Sequence, residues 1–230
     1  MAGLAKVRAE LVRRGLLLLQ DRELPSVATL IAGAPLSSSW WGDAKGHEIF
    51  AVLTALGEDP DVVFTKLVDG KVTLVERALF PALIAVATAG ERWQTGGLSL
   101  DAVRLLEQVR AEGPLSTDQL ASDTPGRRRL AAAARDLEAR LLVRSEQAHT
   151  EHGAHARVLD TWERWADQQG HSRALPPVAD ARTRLEQAVE ALGAAKTSLP
   201  WSSAHSEPEV RVRKPSSRSA GRLSKGRGRR

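Results

Sequence analysis

The sequence predicts a mainly α fold with small β-hairpins, an α+β chain. Three observations predict it. Residues 100–159 read as a helix, a short helix, a longer helix and two short strands around Gly153. Earlier, Asp69-Gly70 stands between two β-rich runs, where a type I′ turn needs two residues that tolerate positive φ. The end of the chain is polar and basic. From His205 onward nine Lys or Arg face two Glu, a charge of +7, which leaves −2 for the rest within the net +5 of 230 residues. Such a tail has too few apolar residues to offset the entropy of ordering and is expected to be disordered.

From the start, Leu4 to Gln20 has the spacing of an amphipathic helix, with Leu4, Val7, Leu11 and Leu18 on one face and Arg8, Arg13 and Arg14 on the other. Pro25 opens a second helix through Val27, Leu30 and Ile31, ended by Gly33 and Pro35. Ser37 to Gly42 is a loop or cap. A helix from about Lys45 to Leu56 buries Ile49, Phe50, Leu53 and Leu56. Val62–Val68 and Lys71–Val75 form the hairpin, and the chain turns helical from about Arg77 to Ala89. An isolated hairpin is marginal, so this one must pack on the helices around it.

Leu100 to about Glu112 is the next helix, stopped by Gly113-Pro114. Ser116 and Gln119 have the spacing of a capping box for a short second helix. Thr124 and Pro125 start a third helix, which carries Arg127, Arg128 and Arg129 in its first turns and an apolar stripe of Leu130, Ala133, Ala134, Leu137 and Leu141. Leu142–His149 and Ala154–Leu159 are the strands of a wing. Together these elements have the order of a winged helix-turn-helix. Asp160 to Gln168 is a short helix whose Trp162 and Trp165 are expected to clamp the wing. Ala181 to Leu192 is strongly periodic and must bury its stripe on the body or on a second copy. The predicted organisation is a helical domain over residues 1–97 with its hairpin at 62–75, a winged-helix domain over 98–168, a C-terminal helix over 178–194 and the tail over 200–230.

Composition removes several function classes. There is no cysteine, hence no disulfide framework, thiolate metal site or cysteine nucleophile. Leu16 to Leu19, the longest apolar run near the start, is far too short for a signal peptide or membrane span. The expectation is a cytoplasmic protein, with no membrane partner and association with the nucleoid open. Usage rich in Ala, Arg and Leu and poor in Lys points to a bacterial source. No G-x-S-x-G, P-loop or dinucleotide fingerprint occurs, and no cofactor is expected. Glu58, Asp59 and Asp61 read as an acidic turn. His149, His152 and His155 recur every third residue across the wing, which does not converge them on one metal ion.

In a helix-turn-helix the third helix enters the major groove with its N-terminal residues against base edges, so Arg127, Arg128 and Arg129 are the first candidate DNA contacts. Arginine at a helix start opposes the macrodipole and does little for stability. His152 on the wing is a candidate phosphate contact. Lys66 and Lys71 near the hairpin could add a basic surface, or simply block edge pairing. Trp41, with Lys45 and His47, could stack on an unpaired base, while one tryptophan of Trp40-Trp41 is expected in the core. Arg211, Arg213, Lys214 and Arg218 of the tail are candidate phosphate contacts.

The stretch Leu24–Trp93 resembles an uncharacterised family of actinobacterial type in its pieces Leu24-Pro25-Ser26-Val27, Ser39-Trp40-Trp41, Lys45-Gly46-His47-Glu48-Ile49-Phe50, Lys66-Leu67-Val68, Gly70-Lys71-Val72-Thr73 and Pro81-Ala82-Leu83. More distantly, over Val62 to Leu159, a hairpin and helix followed by winged-helix elements is similar to the winged-helix DNA glycosylases that repair interstrand crosslinks. That likeness implies DNA-binding ancestry. The Gln-x-Gln motif of those enzymes does not occur here. Three classes stay open at this point. One is a non-enzymatic protein binding double-stranded DNA, as a repair or regulatory accessory. The second is a glycosylase-like repair enzyme, and the third a winged helix used for protein contact. A homodimer through the C-terminal helix is open as well.

Overall fold

The computed structural model describes residues 2–117, 124–149, 155–172 and 174–203. The chain runs α1 (Ala2–Arg14), β1 (Leu16–Leu18), α2 (Val27–Ala32), α3 (Gly46–Gly57), β2 (Val62–Val68), β3 (Lys71–Glu76), α4 (Phe80–Ala87) and α5 (Arg92–Thr95). It continues α6 (Leu100–Glu112), β4 (Leu115–Ser116), α7 (Thr124–Ala139), β5 (Arg144–His149), β6 (His155–Asp160), α8 (Trp162–Gln168), α9 (Val178–Leu192) and α10 (Pro200–Ser203). The fold is thus mixed α+β, with two small antiparallel sheets of three strands each among the described residues.

The first sheet has the order β1-β3-β2. Its hairpin is the expected one: Asp69 and Gly70 both have positive φ, 50° and 65°, and Val68 lies opposite Lys71. The tip is tied down from the far end of the chain, since Asp69 N–H donates to the Ser198 carbonyl at 2.8 Å. The third strand corrects the sequence reading. The helix expected over Leu4–Gln20 ends at Arg14; Gly15 takes a φ of 75° and its N–H closes on the Leu11 carbonyl. Leu16, Leu17 and Leu18 then pair with Val75, Leu74 and Thr73. All three leucines are fully buried, which suits a strand covered on both faces and not a one-sided helix.

Among the described residues two apolar clusters form the core. The larger joins α1, the first sheet and α4, whose residues Ala82 to Ala87 are all buried, to α9. Ala181, Leu185, Val189 and Leu192 of α9 lie in this cluster, and α9 packs along α4. The stripe is covered within the chain, so the homodimer expected through this helix loses its basis. Trp162 and Trp165 also belong here. Trp165 meets Phe80 edge-on at 5.3 Å, so the pair packs on α4 and its cluster and not chiefly on the second hairpin. Arg144 of β5 does lie over the Trp165 ring, at 5.3 Å.

The smaller cluster contains Ala102, Leu105, Leu106 and Val109 of α6, Ala133, Ala134 and Leu137 of α7, and Leu142, Val143 and Leu159. Its sheet has the order β4-β6-β5, with Arg144 opposite Asp160 and His149 opposite His155. Ser116, expected to cap a short helix, sits instead in β4 opposite Val158; the short helix itself falls on residues 118–123, outside the described residues. So do Gly153 at the expected turn and the tail from residue 204.

A polar joint fixes one cluster on the other. Arg140, just past α7, donates to the carbonyls of Trp93, Gln94 and Gly96 at 3.1, 3.4 and 2.7 Å. Gln94, wholly buried, donates to the Ala87 carbonyl at 2.8 Å. Leu141 follows at a φ of 53° and drops its side chain into the larger cluster.

Candidate nucleic-acid interface

The burial of Ala133, Ala134 and Leu137 fixes the rotation of α7, and its first turns face outward. Arg127, Arg128 and Arg129 are all exposed there. Arg129 Nε lies 3.8 Å from Asp101 Oδ2 on α6, a loose pair between two solvated groups that is worth little. Cations so placed oppose the macrodipole of their own helix. His152, Arg211, Arg213, Lys214 and Arg218 lie outside the described residues.

The hairpin lysines are arranged differently. Lys66 Nζ sits 2.8 Å from Glu138 Oε2 on α7, and Arg157 Nε of β6 sits 3.3 Å from Glu138 Oε1. Glu138 is 4% exposed, and neither oxygen has a well-aligned hydrogen bond, so charge attraction is what compensates the buried carboxylate. This trio links the first hairpin, α7 and the second sheet. Lys71 Nζ is 2.7 Å from Asp21 Oδ2. Asp21 also accepts from the backbone N–H groups of Glu23 and Leu24 at 2.9 and 3.0 Å. Burial alone raises its carboxyl, but Lys71 and the two amides outweigh it and hold the group below the usual aspartate range. The Lys71 ammonium is correspondingly raised by its bond to Asp21. Both lysines therefore spend their charge within the chain. The acidic turn does the same: Asp59 and Asp61 hold Arg8 at 2.8 and 3.1 Å, and Asp61 holds Arg77 at 2.9 Å.

A third group gathers where the loop before α3 folds back on the loop after β1. Gln20 donates through Nε2 to the Ser38 carbonyl at 2.6 Å and accepts the Trp40 N–H at 3.2 Å. Arg22 donates to the Ser37 carbonyl. Gly46 lets the chain pack closely, since a Cβ there would stand 3.0 Å from the Trp40 carbonyl and 3.2 Å from that of Trp41. Trp40 is buried, as expected for one of the pair, and Trp41 is 59% exposed. Their rings stack with centroids 4.1 Å apart, and Phe50 meets Trp41 at 5.3 Å. Lys45 and His47 are exposed beside them, Lys45 with Glu48 at 3.6 Å. An open cleft lined by Gln20, Asp21, Arg22, Glu23 and Lys71 adjoins this loop.

Trp41, Lys45 and His47 are exposed on one short stretch, whose loop is tied by Gln20 to the segment where Asp21 holds Lys71. Lys66 meets the end of α7 opposite Arg127 to Arg129, about 15 Å along the axis from those arginines. Sequence reasoning missed Gln20, Asp21, Glu138 and Arg157. One signal existed for Glu138: it follows Ala134 by four residues, so it falls on the buried face of α7, where a carboxylate needs a cation. Among the described residues no cluster suits a metal ion, and no helix is long and apolar enough to cross a membrane.

A family model described as AlkZ related matches residues 9–199. No curated protein and no solved structure matches the chain.

Proposed function

This chain belongs to the AlkZ-related family, and from that premise we propose that it binds double-stranded DNA as an accessory of DNA repair, docking through α7. AlkZ, from which the family takes its name, is a glycosylase of DNA crosslink repair. The reading takes residues 98–168 as a winged helix. Its support is the element order of helix, strand, helix and hairpin, with β4 paired to β6. The observation that carries it is the set of exposed arginines on the first turns of α7, whose other face is anchored in the smaller cluster. Successive helical positions are about 100° apart, so the three side chains divide between base edges and the backbone. The wing with His152 and the basic tail add phosphate contacts. The group around Trp41, with Lys45 and His47, is a second surface towards DNA.

A gel-shift series on a duplex tests this. The R127A/R128A/R129A chain folds normally and loses most of its duplex affinity. Unchanged affinity at moderate salt moves the helix to the protein-contact reading. The glycosylase-like alternative is favoured by the family alone; strand scission by alkali after incubation with crosslinked or alkylated duplex establishes it, and intact strands remove it.

A further inference from the structure

We propose that Trp41 is a stacking plate for one unpaired nucleobase, a use that rests on the DNA-binding reading and names the form of DNA that this second surface takes. The plate is built and fixed before any ligand arrives. Trp40 backs the indole at 4.1 Å with the planes 23° apart, and the Phe50 ring lies 5.3 Å from it, tilted by 37°. The loop below is held by Gln20 at Ser38 and Trp40, by Asp43 N–H on the Trp40 carbonyl at 3.1 Å and by Gly46 N–H on the Asp43 carbonyl at 2.9 Å. A ligand therefore meets the exposed part of an indole, 59% open, that has already lost its freedom, which lowers the cost of binding.

The surroundings select among occupants. A protein interface needs a contiguous apolar centre. The other large apolar side chains exposed among the described residues are Val12 on α1, Val72 on β3 and Leu100 on α6, scattered over separate elements. The groups of this loop and of the cleft that adjoins it are polar and of both signs: Lys45 pairs with Glu48 beside Asp43, Arg22 bonds to Ser37, and Lys71 pairs with Asp21. Such a rim does not draw in a phosphate backbone. It surrounds one planar ring whose attraction is stacking. A base inside a duplex offers no free face, so the occupant is a base out of its pair, in a single strand or at a lesion. The division of labour follows: α7 holds the backbone by charge, and Trp41 reads whether a base is unpaired. Stacking at a mixed-charge rim is far less salt-sensitive than the arginine contacts.

The test uses the full chain, with a labelled oligo-dT octamer, a fully paired duplex and the same duplex with one unpaired thymine, at low salt and at about 0.3 M salt, where the tail contributes least. W41A is expected to lose about tenfold in affinity for the octamer and for the unpaired-base duplex, at both salt levels, and nothing for the paired duplex. W41F keeps most of the affinity, and an unchanged melting curve shows that the loop still folds. Equal binding of W41A and the parent to the octamer and the unpaired-base duplex overturns the proposal, as does a parent chain that does not bind the octamer. Failure of the duplex reading looks different: there R127A/R128A/R129A leaves the paired duplex bound, whatever W41A does to the octamer.

Discussion

Lys66 and Lys71 on the first hairpin and Arg127, Arg128 and Arg129 on α7 look alike in the sequence, as clusters of cations on elements that DNA could meet. In the fold they differ. Each lysine faces a carboxylate of the chain that is largely buried, Glu138 or Asp21. The arginines stand on a solvated helix start, with Arg129 only loosely near Asp101. A cation that compensates a buried charge is a structural element, because moving it strands its partner in a poor dielectric. A solvated cation at the wrong end of a helix dipole is not held in place by a buried carboxylate in this way.

The largest expected effect breaks or upholds the comparison directly. R127A/R128A/R129A lowers duplex affinity by roughly ten- to a hundredfold near 0.1 M salt while the melting temperature moves by no more than about 2 °C. Titration by fluorescence anisotropy and a thermal melt read both sides. An equal loss of stability would make the arginines structural, like the lysines.

Next is the hairpin's side. Glu138→Ala leaves Lys66 and Arg157 facing each other without a counter-charge and opens a gap behind α7. It should lower stability by about 1–3 kcal/mol, read from urea unfolding. The cations are only part buried and can turn towards water, which keeps the loss below that of a sealed pair. A neutral result would mean that Glu138 holds nothing, and the contrast between the two regions would go.

Gly70→Val tests the turn that places Lys71. A β-branched residue resists the φ of 65°, so the cost is on the order of 1–2 kcal/mol, whereas Gly70→Asn, which tolerates that conformation, loses little. An unchanged melting temperature for the valine chain refutes the turn assignment.

The smallest effect concerns an exposed cluster. Arg13 and Arg14 hydrogen-bond to Glu10 and push its carboxyl down to about 2 from an ordinary 4.5. A depressed folded value means stability that is fully present above the ordinary value and is lost as pH falls through about 2. Glu10→Gln therefore costs about 0.5 kcal/mol at neutral pH, and the two chains converge near pH 2. Thermal melts across that range would show a constant gap if the pairing were irrelevant.

How much was legible can be judged element by element. Asp69-Gly70 announced its hairpin because only a few residues accept that backbone, and the periodicities of α7 and α9 announced their buried faces. Leu16 to Leu18 misled: helical spacing continues through them, and only the pairing with β3 turns the run into a strand. Gly15 was the local sign of that break. Trp40 and Trp41 are adjacent in sequence and identical in type, yet one is buried and the other open. Nothing local separates them; Trp40 is the one that packs into the larger cluster, built from distant parts of the chain.

By itself the sequence determined the hairpin turn, the glycine stops at Gly33 and Gly113, the buried faces of α7 and α9 and the charge of the tail, since these depend on φ preferences and on spacing within one segment. The tertiary structure alone decided which charges are used up. The partners of Lys66 and Lys71 lie far along the chain, at Glu138 and Asp21, and only folding brings the groups within ion-pair distance. It also decided that α9 covers α4 within the chain instead of a second copy, because a periodic stripe specifies that it must be buried and not by what.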